Sequence, residues 1–237
     1  MLTNAKKWIM LGLYPVGMFI LPLIIMLVMA LFDAIFLEGM VANELDFGFM
    51  TIAIVISYAA LMVALLIISF GIYKQDFQKI KSWGNFTKQM VIGLIATFSA
   101  AFVGGTLVSL LGETDTALNQ LLIEQALQAM PFLMIMTVIF FGPIVEEIIF
   151  RLVMMNLFPK IKPIYNVIFS SLIFGAIHVL AGGWIHIIPY FLMGIVFGYI
   201  YIRNDNIWHA TVLHILHNGL TVGLIFLAQG LLEAYPY

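Results

Sequence analysis

Apolar residues fall in long blocks along this chain: Trp8 to Phe32, Met50 to Tyr73, Met90 to Leu111, Met130 to Phe158, Ile164 to Leu180, Trp184 to Tyr201 and Ile207 to Leu232. Each is close to the ~17–25 residues that a helix needs to cross hydrocarbon. A backbone in lipid must satisfy its own hydrogen bonds, which leaves helix as the element for every block. The pattern predicts an all-α polytopic membrane helix bundle of about seven transmembrane helices, the fifth and sixth short and parted only by the turn Ala181-Gly182-Gly183. The first block is long enough to span and no small-residue cleavage site stands out, so it reads as a retained helix rather than a cleaved signal. Glu113 to Ala129, with apolar Leu118, Leu121, Leu122, Ile123, Ala126 and Leu127, reads as a helix on the outer surface leading into the fourth span.

Composition agrees with a multi-pass protein of the cell membrane, since the 237 residues are 63% hydrophobic and only 9% charged. There is no Cys, so disulfides, thiolate ligands and a cysteine nucleophile are excluded. The charges then orient the bundle. Lys6 and Lys7 precede the first helix, while Asp33, Glu38, Glu44 and Asp46 follow it without a basic residue. Lys74, Lys79, Lys81 and Lys88 lie in the next loop, Glu113, Asp115 and Glu124 in the one after, Lys160 and Lys162 after the fourth helix and Arg203 after the sixth. Basic residues mark cytoplasmic loops, so this alternation predicts a cytoplasmic N-terminus and an external C-terminus. The net charge of −2 and the lack of a basic patch with interleaved aromatics give no sign of nucleic-acid binding. With no repeat or linker, residues 1–237 read as one membrane-embedded domain, 1–129 a scaffold and 130–232 a core carrying the chemistry. Gly194/Gly198 and Gly219/Gly223 are spaced to let the last two helices approach closely.

Ionisable groups inside spans are costly unless paired or facing a wet cavity. Here the fourth helix holds Glu146, Glu147 and Arg151, the fifth His178, and the seventh His209, His214, His217 and Asn218. At ~1.5 Å rise per residue from the cytoplasmic ends, Glu146 lies roughly 18 Å deep, His178 roughly 21 Å, and His214 and Asn218 roughly 10 and 16 Å. Residues four apart share a helix face, which pairs His214 with Asn218, Phe174 with His178, and Glu147 with Arg151. Glu146, about 100° around the helix from Glu147, then points elsewhere. A lone intramembrane His is ordinarily a partner in helix-to-helix hydrogen bonding, the reading that fits His186, His209 and His217.

The spacings EExxxR (Glu146, Glu147, Arg151), FxxxH (Phe174, His178) and HxxxN (His214, Asn218) resemble the three motifs of the CAAX protease and bacteriocin-processing family, also called CPBP or Abi, of intramembrane metalloproteases. The resemblance covers roughly Met130 to Leu232. It implies peptide-bond hydrolysis on a peptide or membrane-protein substrate, either CAAX-type or linked to bacteriocin immunity. It also implies that Glu146 with His178 holds and deprotonates a water, that His214 and Asn218 donate to the oxyanion, and that Glu147 with Arg151 fixes the fourth helix. A carboxylate away from bulk solvent is suited to such general-base work. Phe174 reads either as pocket lining or as one more apolar contact. Glu146, His178 and His214 also match in type the ligands of a divalent metal such as zinc with one position left for water, although no HExxH signature accompanies them. Two other classes use buried polar groups: a transporter or proton-relay protein, and a non-catalytic immunity or binding protein. The first three helices, free of buried charge, do not mirror the last three, unlike the matched halves of many transporters.

Overall fold

The structure, a computed structural model, describes residues 2–36 and 47–234, and the described residues are helical with no strand. Among the described residues six helices are long and apolar enough to cross a membrane: α1 (Asn4–Asp33), α2 (Gly48–Gln78), α3 (Trp83–Leu110), α5 (Pro131–Asn156), α7 (Trp184–Asn204) and α8 (Ile207–Leu231). The fifth apolar block forms α6 (Pro163–His178), whose 16 residues fall just short of a full span. The surface segment forms α4 (Leu118–Ala129), starting later than its charge pattern suggests. Glu38, Glu44 and Asp46, which carry the expected external loop, lie outside the described residues.

The bundle is built around α5. Val145, Ile148, Ile149, Phe150 and Val153 are buried almost completely, while large apolar side chains of α1 to α3 face outward to lipid. Two prolines shape the long helices. A helical proline lacks its own N–H and crowds the preceding turn, so the chain absorbs it by widening. A π-helical turn, Val16–Ile20, precedes Pro22 in α1, and another, Thr137–Phe141, precedes Pro143 in α5. A third wide turn, Ile148–Val153, carries Arg151.

Small residues bring α6 and α7 together. A Cβ at Gly194 would sit 3.0 Å from the Ser171 Cβ, and one at Gly198 2.9 Å from Val167. Gly194 and Gly198 thus serve the α6–α7 contact rather than α7–α8, and Gly223 has open space around it.

Polar ties gather the ends expected to be cytoplasmic on one side. Lys7 Nζ donates to the Asn156 carbonyl at 2.6 Å, joining the start of α1 to the end of α5. At the end of α2, Asp76 Oδ2 accepts from the Ile207 N–H at 3.0 Å, capping α8, and its carbonyl accepts from Asn206 Nδ2 at 2.7 Å. Lys79 pairs with Asp76 at 2.7 Å, and that hydrogen bond raises the Lys79 pKa above the ordinary lysine value. On the lysine side the pair is lost as pH rises through that raised value, and it contributes little because the lysine side chain is half exposed. Asp76 is instead nearly buried. Asp76→Ala should destabilise the protein by about 1–3 kcal/mol, through loss of the α8 cap and an orphaned buried N–H. Lys79→Met should cost less than about 1 kcal/mol. Reversible unfolding in detergent measures both; equal losses would show that the cap carries no weight of its own.

Candidate active site

Three helices deliver Glu146, Phe174, His178, His214 and Asn218 to one cavity, with Glu147 and Arg151 buried outside its lining. On α5, consecutive Glu146 and Glu147 diverge as helix geometry requires. Glu147 is fully buried and accepts from Arg151 Nε at 3.0 Å, four residues on. Its other oxygen lies 2.9 Å from His214 Nδ1 on α8. Glu147 therefore holds His214 as well as Arg151, a link that spacing within one helix does not reveal. Arg151 is itself fully buried, donates through Nη1 to Ser170 Oγ at 3.2 Å, and lies over the Phe174 ring, 5.4 Å from its centroid. Ser170 donates its own hydroxyl proton to the Phe150 carbonyl at 2.7 Å, which ties α6 to the wide turn of α5.

Glu146 faces the other way, into the cavity. Its Oε2 lies 3.9 Å from His178 Nε2 and 3.8 Å from His214 Nε2. Both imidazoles are held from behind. His178 Nδ1 is 2.7 Å from the Phe174 carbonyl, an atom that only accepts, so Nδ1 carries the proton. His214 Nδ1 likewise donates to the Glu147 carboxylate. In their neutral forms both rings present a bare Nε2 lone pair toward Glu146. Ring contacts fix the planes: Phe174 packs against His178 at 4.5 Å and His214 at 5.9 Å, Tyr190 stacks on His178 at 4.6 Å, and Phe197 stacks on His214 at 4.4 Å between centroids. Phe174 is thus both a packing hub and part of the cavity wall.

Asn218 takes a place that its motif does not foretell. Its Nδ2 donates to the Val138 carbonyl at 2.8 Å. Gly142 N–H reaches back to Thr137 in the wide turn, so the next bond in that register, to Val138, would come from residue 143. That residue is proline and has no N–H. Asn218 supplies the missing donor, with one of its two N–H groups committed to α5.

The cavity holds about 900 Å³ and opens beside Glu146, His178, His214 and Asn218. Its remaining wall is mostly apolar, with Tyr14, Tyr58 and Tyr190 among the polar exceptions. Sequence reasoning passed over these tyrosines, because a single hydroxyl in an apolar helix has no motif to mark it. The surface helix α4 also contributes, and Asn119 Nδ2 reaches the Tyr190 hydroxyl at 3.4 Å.

The other histidines divide. His217 Nδ1 meets Thr97 Oγ1 at 3.1 Å, a bond from α8 to α3 of the expected kind. His186 instead reaches two backbone carbonyls, Gly183 at 3.2 Å and Asp115 at 3.1 Å. His209 has no partner for its buried Nδ1 and rests on Phe86 at 4.7 Å between centroids. Among the described residues no three of His, Cys, Asp and Glu stand in a geometry that would hold a metal ion. At 3.8 and 3.9 Å from Glu146 Oε2 the two Nε2 atoms are beyond direct hydrogen bonding, a separation that a water donating one O–H to Glu146 and the other to one Nε2 would bridge.

Comparison with known proteins bears on the same region. The family model described as type II CAAX prenyl endopeptidase Rce1-like matches residues 128–220, a stretch that holds every motif residue. The chain is also 31% identical over 172 residues to the Bacillus subtilis (strain 168) protein named "Putative membrane peptidase YdiL", covering 71% of this chain and 69% of that one. No solved structure matches.

Proposed function

From the premise that this chain belongs to the CAAX protease and bacteriocin-processing family, related to the Rce1-like type II CAAX prenyl endopeptidases, we propose that it is an intramembrane endopeptidase whose water is activated by Glu146. The observation that carries the reading is the meeting of Glu146 Oε2 with two Nε2 lone pairs, each fixed from behind, at the wall of a large apolar cavity. A water bonded to Glu146 and His178 is oriented for attack and has a base beside it. Its oxygen adds to the scissile carbonyl carbon as its proton passes to Glu146. The carbonyl π electrons move onto oxygen. Collapse then breaks the C–N bond while Glu146 returns the proton to the departing nitrogen, leaving an acid and an amine. Glu147 keeps His214 in place and balances any positive charge that ring gains.

The apolar wall suits a peptide that brings its own hydrophobic surface, by sequence or by a lipid group. In proteoliposomes the protein should therefore cleave a farnesylated peptide ending in a CAAX sequence faster than the same peptide without the lipid. Mass spectrometry of the released fragments measures this. Equal rates would remove the lipid preference and leave a general peptidase. No cleavage of either peptide, or of a proteome-derived peptide pool, would overturn the proposed activity.

A further inference from the structure

The site is rich in acceptors and poor in donors. Glu146 accepts, and the neutral rings of His178 and His214 turn lone pairs inward because their Nδ1 protons are committed to Phe174 and Glu147. Asn218 has given one amide proton to Val138. Hydrolysis nevertheless places negative charge on the carbonyl oxygen, and stabilising it requires donors already aimed at that point. A hydroxyl in the cavity wall is the group most suited to complete the set.

Tyr58, on α2, is such a group. It lines the cavity, it is only half-buried, and among the described residues nothing hydrogen-bonds its hydroxyl. Its ring and the Glu146 carboxylate both border the space beside Gly142. The point where a Gly142 Cβ would sit is 3.7 Å from Glu146 Oε1 and 3.9 Å from Tyr58 Cε1, so a side chain there would crowd both groups and the glycine leaves that space to them. Among the described residues the Tyr14 hydroxyl, on α1, has no partner either, but that atom is sealed inside the wall, and the Tyr190 hydroxyl already accepts from Asn119. Tyr58 is partly exposed in the cavity wall.

We propose that Tyr58 is a further catalytic residue, its phenolic O–H donating to the carbonyl oxygen of the scissile bond as that oxygen becomes negative. The assignment rests on the peptidase reading above and extends it, making α2 part of the catalytic wall rather than scaffold. It uses no proton beyond the hydrogen bond itself: the phenol stays protonated while Glu146 carries the proton in transit. A donor that matters only when charge develops lowers kcat when removed and leaves KM nearly alone.

The test compares reconstituted wild type, Tyr58→Phe and Glu146→Gln on a proteome-derived peptide pool, followed by kinetics on the best-cleaved member. Tyr58→Phe should lower kcat by about 10²-fold with KM changed less than about 2-fold. Its melting temperature should hold, since the change keeps the ring and removes an O–H that no protein group engages. Turnover by Tyr58→Phe at the wild-type rate, with Glu146→Gln inactive, would overturn the inference and spare the peptidase reading. A fall in kcat matched by a fall in melting temperature would also overturn it, marking Tyr58 as a packing residue. Wild type that makes no cuts beyond those of Glu146→Gln would overturn both.

Discussion

Glu146→Gln should cleave at least about 10³-fold more slowly than wild type, with its melting temperature maintained. Gln keeps the shape and the hydrogen-bonding oxygen of Glu but cannot take a proton. Among the described residues Glu146 has no hydrogen-bond partner, its nearest ring nitrogens standing 3.8 and 3.9 Å away, so its replacement strands none of them. That separates it from its neighbour Glu147. His178→Ala should lose comparable activity, since the ring is held by the Phe174 carbonyl and Tyr190 solely to point Nε2 at the same water. Groups acting as one unit are not additive, so the double variant should be about as slow as the worse single one. Initial rates on the best-cleaved peptide measure this. A Glu146→Gln protein within about tenfold of wild type would remove Glu146 as the base.

How far the sequence carried depends on the kind of contact. Depth along a helix is arithmetic: it puts Glu146, His178 and Asn218 at neighbouring levels and His214 shallower, and the structure brings all four to one cavity. The i,i+4 pair of Glu147 with Arg151 followed from helical spacing in the same way. Contacts between helices were less legible. That Glu147 also holds His214 depends on the rotation of α5 against α8, which no local pattern sets. The role of Asn218 was hidden because its partner is a backbone carbonyl, released by a proline on another helix. Tyr58 and Tyr14 went unnoticed for a simpler reason: reading charge alone makes the first helices look inert, although both tyrosines line the cavity.

The Glu147–Arg151 pair should respond to substitution quite differently from Glu146. Both side chains are fully buried, so Glu147→Ala leaves a guanidinium without its counter-charge and Arg151→Met leaves a carboxylate without one. Either should cost about 3–5 kcal/mol, far more than the pair contributes as a pair. Glu147→Gln with Arg151→Met removes both charges together and should recover most of that stability. Activity should recover less. The amide that replaces the Glu147 carboxylate still offers an oxygen to His214 Nδ1, so the ring stays placed, but it no longer balances positive charge on that ring. A double variant with wild-type stability and kcat about tenfold or more below wild type would assign Glu147 a part in the reaction through His214. Full recovery of both would reduce it to a strut for α5. Failure to recover stability would place the main loss elsewhere, in the bond from Arg151 to Ser170 that ties α5 to α6. Unfolding in detergent and cleavage rates, compared across wild type, the single variants and the double, distinguish these outcomes.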